Sequence, residues 1–168
     1  MSGEAASQKF AAAPLDRPTR FVTAAFCAAL LGLALTVPAA AADIGAAVLL
    51  GLVIPVGIVV LAYGFAPHTY AITPDGLLHV RRRLFGKRTF RLETAQTVAA
   101  VFGLGGIRIF GSGGAFGWYG LFWRKGTGRY RAYVTDRSKL VACQGPDGLV
   151  TISPADPDAF VAAVPVGR

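Results

Sequence analysis

The sequence predicts a membrane α-helical hairpin joined to an α+β, mainly-β domain, a partly open barrel of about seven strands capped by a C-terminal helix. Three observations predict it. The 168 residues are 54% hydrophobic and only 15% charged, against roughly 25% charged in an ordinary soluble domain. No Lys or Arg stands between Arg20 and Arg81. Beyond that gap, turn signals recur at short intervals and then yield to a helical period. Other classes are excluded by the same composition. A disordered chain is charge-rich and apolar-poor. Two Cys, 116 residues apart, do not build a disulfide scaffold. Neither His stands at a ligand spacing from a Cys, so no metal or other cofactor is expected.

Charge divides the chain in two. Residues 1–65 hold three basic and three acidic side chains, and residues 66–168 hold fourteen and six, which is the whole net charge of +8. The neutral part contains two apolar runs, Phe21–Ala42 and Ile44–Ala66, separated by Asp43. The second has 23 residues, ~35 Å as a helix, enough for a hydrocarbon core of ~30 Å. In the first, Pro38 weakens the last turn and leaves Phe21–Val37 as the strongly apolar part. Pro55 lies mid-span in the second, which a bilayer helix tolerates when neighbouring groups satisfy the freed carbonyl. Gly32, Gly45, Gly51 and Gly57 favour close helix approach.

Two other readings of these runs compete, a buried core and a signal peptide. Two adjacent runs of this length exceed what a buried core needs. A signal peptide is the sharper competitor, with Arg17 and Arg20 before an apolar stretch and Ala40-Ala41-Ala42 as a cleavage site. A second span starting almost at the cut is awkward for a secreted product. Lys9, Arg17 and Arg20 precede the first span, and Arg81, Arg82, Arg83, Lys87, Arg88 and Arg91 follow the second. The positive-inside rule then places both ends in the cytoplasm. Cleavage of the first span would leave the C-terminal part there too.

The basic part reads as strands. Pro74-Asp75-Gly76, Gly86-Lys87, Gly126-Thr127-Gly128, Asp136-Arg137-Ser138 and Gly145-Pro146-Asp147-Gly148 each carry reversing chemistry. Between them, period-two alternation marks half-buried antiparallel strands. Leu78 and Val80 oppose His79 and Arg81, and Tyr130, Ala132 and Val134 oppose Arg129, Arg131 and Tyr133. Strands are predicted at 68–73, 76–83, 87–92, 95–102, 128–135, 138–144 and 148–152. A helix follows, with Ser153 as N-cap, Pro154 at N1, Asp156 near N3, and Phe160, Val161 and Val164 as its apolar stripe.

Arg108–Gly111 (RIFG), the glycine-aromatic stretch to Trp123 and the closing ISP-x-D-P-x-x-F at Ile152–Phe160 together resemble the bacterial pleckstrin-homology-like (PH-like) domains of small membrane proteins. Such domains often follow two transmembrane helices. The resemblance covers about residues 67–165 and implies a seven-stranded, helix-capped barrel. It implies no activity, because the fold binds lipids, peptides or proteins in different settings. Residues 1–20 are then a cytoplasmic tail, 21–66 the transmembrane hairpin and 67–168 the PH-like domain. The setting is the bacterial inner membrane, multi-pass.

Two features are candidate sites. Arg81, Arg82, Arg83, Lys87, Arg88 and Arg91 form a basic run suited to anionic headgroups, at ~1 kcal/mol per cation close to the surface. Its plain alternative is a topology signal on a solvated strand. Phosphoinositide-binding relatives use cations around the first hairpin turn, and Pro74-Asp75-Gly76 has none. The second feature is the eight glycines of 103–120 with Phe116, Trp118, Tyr119, Phe122 and Trp123 around them. It reads either as a loop docked on the bilayer or on the protein's own helices, or as a crossover whose aromatics fill the barrel.

Catalytic motifs fail. Ser112 is not a nucleophile elbow, because Phe110 stands two residues before it where the motif needs glycine. Gly103-Leu104-Gly105 meets Arg108 where a dinucleotide fingerprint needs glycine. His68, His79, Glu93 and the aspartates find no convergent partners, and Cys143 reads as core. Nucleic acid is not expected, since membrane topology already explains the basic bias. The expectation is a non-enzymatic membrane protein presenting the domain as a lipid-proximal scaffold or interaction module. Anionic lipids and an unidentified protein partner or second copy are its expected contacts. The alternative is an accessory subunit of a membrane enzyme or transporter complex.

Overall fold

Residues 7–40, 43–98 and 106–165 are described by the computed structural model. Helix α1 (Arg17–Ala40) starts at Asp16, whose Oδ1 accepts the Thr19 N–H at 2.7 Å. Asp43 begins the second helix the same way, accepting the Ala46 N–H at 2.8 Å. That helix runs as α2 (Ile44–Val48), a π-helical turn (Leu49–Val53) and α3 (Ile54–Phe65). The widened turn ends two residues before Pro55, which has no N–H to continue the ladder. Arg17–Thr36 and Ile44–Phe65 are both long and apolar enough to cross a membrane, and their side chains are largely uncovered.

The strands are β1 (Gln8–Ala11), β2 (Pro67–Ile72), β3 (Leu77–Arg82), β4 (Lys87–Arg91), β5 (Thr94–Val98), β6 (Ile107–Gly114), β7 (Gly117–Arg124), β8 (Gly128–Val134), β9 (Leu140–Gly145) and β10 (Gly148–Ile152). They form two sheets, ordered β1-β2-β3-β4 and β5-β9-β10-β8-β7-β6. All pairings are antiparallel except β10 with β8. The barrel therefore stays open, as predicted. Its main core lies between the sheets around Tyr70, Leu78, Val80, Val141, Ile152 and Phe160. A smaller cluster of Phe122, Tyr130, Ala132, Val134 and Leu140 covers the other face of the second sheet.

Three differences from the sequence reading have physical causes. First, Gln8–Ala11, expected in a tail, pairs with β2 in the register Gln8↔Ile72 to Ala11↔Thr69. The following residues are stitched down: the Ala13 N–H donates to the Ser153 carbonyl at 2.9 Å, and the Asp16 N–H to the Thr135 carbonyl at 3.2 Å. Second, β6 and β7 form a hairpin where no strand was predicted, because their glycines mask the alternation. Residues 99–102, the end of the predicted fourth strand, and 103–105 lie outside the described residues.

Third, the last helix, α4 (Pro157–Ala162), is capped by Asp156, whose Oδ1 accepts the Ala159 N–H at 3.0 Å. Ser153 is not the cap. It is fully buried, its Oγ accepts the Thr135 N–H at 2.8 Å, and the Ala155 N–H donates to the Ala11 carbonyl. The N-terminal strand thus keeps 153–155 extended and delays the helix. Phe160 is buried and packs edge-on against Phe10 at 5.1 Å.

Candidate functional site

An α-helix leaves its last carbonyls without intrahelical donors. At the end of α3 the β-domain supplies them. The Gly64 carbonyl accepts from the Leu84 N–H at 3.0 Å and from the Phe85 N–H. The Ala66 carbonyl accepts the Arg83 N–H at 3.0 Å, and the Ala62 carbonyl accepts the Tyr119 hydroxyl. The Phe85 ring covers Gly64 so closely that a Cβ there would collide with it. Arg83 Nη1 reaches the Tyr63 hydroxyl at 3.1 Å and its guanidinium lies 4.9 Å over that ring. Arg82 lies 5.0 Å over Phe65. Cations here also oppose the negative end of the helix dipole.

The tip of the β6–β7 hairpin grips α1. The Phe116 N–H donates to Thr23 Oγ1 at 2.9 Å, Gly114 lies against Val22, and the Phe116 ring meets Tyr63 edge-on at 5.6 Å. Phe116 itself has a positive φ of 57°. The glycines let the two strands come together. Gly111 pairs with Gly120, at φ 113° and 126°, and a Cβ on either would lie about 2 Å from the opposite carbonyl oxygen. A third clasp joins Asp16 to Arg137, with Oδ2 accepting both the backbone N–H and Nε at 3.1 Å. Burial raises the Asp16 carboxyl, but the Thr19 and Arg137 hydrogen bonds outweigh it and hold the pKa below the usual range.

Between the domain and the adjoining ends of both helices lies a cavity of about 670 Å³. One wall is apolar, formed by Val22 and Phe26 of α1 and Leu61 and Phe65 of α3. The other carries Arg82, Arg88, Arg108 and Arg131, and no carboxylate is among the described residues that line it. The strand pairing explains this convergence. Val80 pairs with Arg88, so Arg88 shares the core face of β3–β4, and Arg82 follows two residues after Val80. Arg131 and Tyr133 share a face of β8. The Tyr133 hydroxyl is pushed up by burial and pulled back by Arg88, Arg82 and Arg131, which surround it. Arg82 Nε is buried with no hydrogen-bond partner among the described residues.

The six predicted cations are therefore divided. Arg82 and Arg88 enter the cavity, and Arg83 sits at the helix end. Arg81, Lys87 and Arg91 share the opposite face of the sheet, through the pairs Arg81↔Lys87 and Leu77↔Arg91. The predicted aromatic loop is instead strand β7 and its turn. Phe116 and Tyr119 meet the helices. Phe122 is buried and stacks on Tyr130 at 5.6 Å. Trp118 lies under Arg137 at 5.6 Å, and Trp123 remains 42% exposed. Phe116 and Tyr119 thus face the helices, while Phe122 packs on the face of the second sheet turned away from the main core. Arg108 and Arg131 were missed as site residues. Arg131 was only a cation on the polar face of a predicted strand, which is ordinarily solvated, and Arg108 stood only at the head of RIFG, where no strand was predicted.

Elsewhere, His79 hydrogen-bonds Thr89 at 2.8 Å, and burial and then Lys87 lower its pKa. Cys143 is fully buried, and burial pushes its thiol up to about 12. Among the described residues, no group of three His, Cys, Asp or Glu could hold a metal ion. Residues 66–166 match the family model described as "Bacterial PH domain". No curated protein and no solved structure matches the chain.

Proposed function

The chain belongs to the bacterial PH domain family, and we propose that it works as a non-catalytic, lipid-proximal module of the inner membrane. In this reading two helices cross the bilayer and hold the domain on the cytoplasmic side, against the headgroup layer. The carrying observation is the capping of α3 by the β3–β4 turn, through the Leu84, Phe85 and Arg83 amides. A domain joined in this way is not a freely tethered ball. Its basic end, with Arg83 on Tyr63 and Arg82 on Phe65, lies where Tyr, Arg and lipid phosphates favour one another.

Depth measurement tests this reading. Spin labels would be placed at Leu84→Cys and Asp75→Cys in a Cys27→Ser background, with full-length protein in nanodiscs. Leu84 is 57% exposed in the turn beside α3. Asp75 lies at the opposite end of β2 and β3, about 20 Å along the strands. The Leu84 label is expected at headgroup depth and the Asp75 label in water. Two equally aqueous labels overturn the reading.

A second reading, an accessory subunit of a larger complex, is favoured by β6. It is the outermost strand of its sheet, and Ile107 and Ile109 are 67% and 50% exposed. A stoichiometric protein partner retained in mild detergent supports it, and a chain that purifies alone counts against it.

A further inference from the structure

We propose that the cavity between the helical hairpin and the PH domain holds the phosphate headgroup of one anionic phospholipid. The inference rests on the membrane-proximal reading above and names the ligand that this geometry takes. Four arginines from four strands, β3, β4, β6 and β8, line one cavity, with no carboxylate among its described lining residues. The one salt bridge among the described residues is Asp16–Arg137, outside this cavity. Arg131 spends one donor on the Asp147 carbonyl at 3.2 Å. Arg82 Nε is buried and has no hydrogen-bond partner among the described residues. Like charges crowded against an apolar wall repel one another and lose hydration. A phosphate removes both costs, since guanidinium forks match its oxygens and charge-assisted bonds are the stronger kind.

The opposite wall specifies an amphiphile rather than a soluble anion. Val22 and Phe26 lie in the first turns of α1, and Leu61 and Phe65 in the last turns of α3. At 1.5 Å per residue these lie within about 15 Å of the domain-side helix ends. Leu61 and Val22, about 6–8 Å in, lie about one headgroup layer below those ends, and Phe26, about 14 Å in, reaches the acyl region. A lipid seated there lays its phosphate on the arginines and its glycerol and first methylenes on the apolar wall. The volume lies within the usual ligand-site range of ~300–1,000 Å³. Arg81, Lys87 and Arg91, on the far face of the sheet, take no part.

The test is native mass spectrometry of full-length protein from phosphatidylcholine nanodiscs doped with phosphatidylglycerol. The expected result is one phosphatidylglycerol retained per chain in preference to phosphatidylcholine. Arg108→Gln with Arg131→Gln should lower that occupancy by about tenfold or more, as loss of charge-assisted bonds does. Arg81→Gln with Lys87→Gln and Arg91→Gln should leave it unchanged. Protection of the buried Cys143 thiol reports that each variant is folded. Absence of preference, or equal loss in both sets, overturns the proposal. So does displacement of the lipid by inorganic phosphate, which would make the ligand a soluble anion. If the Leu84 label still reads headgroup depth, such a failure removes only this inference. An aqueous label removes the reading beneath it.

Discussion

The Phe116 amide donates a 2.9 Å hydrogen bond to the Thr23 hydroxyl, across 93 residues of sequence. The same hydroxyl donates to the Thr19 carbonyl at 2.7 Å. One side chain thus serves the first helix and the tip of the β6–β7 hairpin. It fixes the edge of the cavity where Val22 and the arginine-bearing strands meet.

Thr23→Val keeps the shape and removes the acceptor. The partly buried Phe116 N–H then loses its partner, at a cost of ~1–3 kcal/mol. A lower melting temperature in detergent and faster amide exchange around Phe116 are expected. An unchanged exchange rate there would show that the bond does not hold the hairpin.

Gly120 and Gly126 separate close approach from backbone preference. Both have positive φ, 126° and 89°, but a Cβ on Gly120 meets the Phe110 carbonyl whereas one on Gly126 meets nothing within 4 Å. Gly126→Ala should cost about 1–2 kcal/mol. Gly120→Ala should cost clearly more and disturb the cavity, because the Gly111↔Gly120 contact must open. Urea or thermal unfolding of the two variants checks the order.

Asp16 predicts an acid limb in stability. Its folded-state pKa lies below the unfolded value of about 3.9. Its contribution is therefore present above that value and lost as pH falls through the folded one. Asp16→Asn should melt below wild type near neutral pH, and the gap should narrow as pH falls below the unfolded carboxylate value of about 3.9. A gap constant with pH would assign the effect to capping alone.

Cys143 should be inert while the protein is folded. Its thiol is pushed up to about 12 and has no solvent exposure, so thiolate and access are both missing. Intact mass after maleimide treatment in a Cys27→Ser background should show no adduct without denaturant and one with it.

Much of this was legible before the fold was known. Apolar run length and the Lys/Arg gap marked the two helices, and period-two alternation marked most of the strands. What escaped was long-range. Gln8–Ala11 has no strong pattern and becomes a strand because β2 offers an open edge. Ser153 looks like a cap until Thr135 and Ala13 claim its hydroxyl and carbonyl. In β6–β7 glycine erased the alternation because the strands approach too closely for side chains. The basic run at Arg81–Arg91 was visible, but its division between two faces depends on the register Val80↔Arg88. Its union with Arg108 and Arg131 depends on how the two sheets face each other.

Amide exchange of the full-length protein in nanodiscs reads out whether the hairpin and the domain form one docked unit at the membrane. The Leu84 N–H depends on the Gly64 carbonyl, and the Phe116 N–H on Thr23. Docking predicts that both exchange as slowly as amides within β8. Exchange at the rate of an open turn, with β8 still protected, would contradict it.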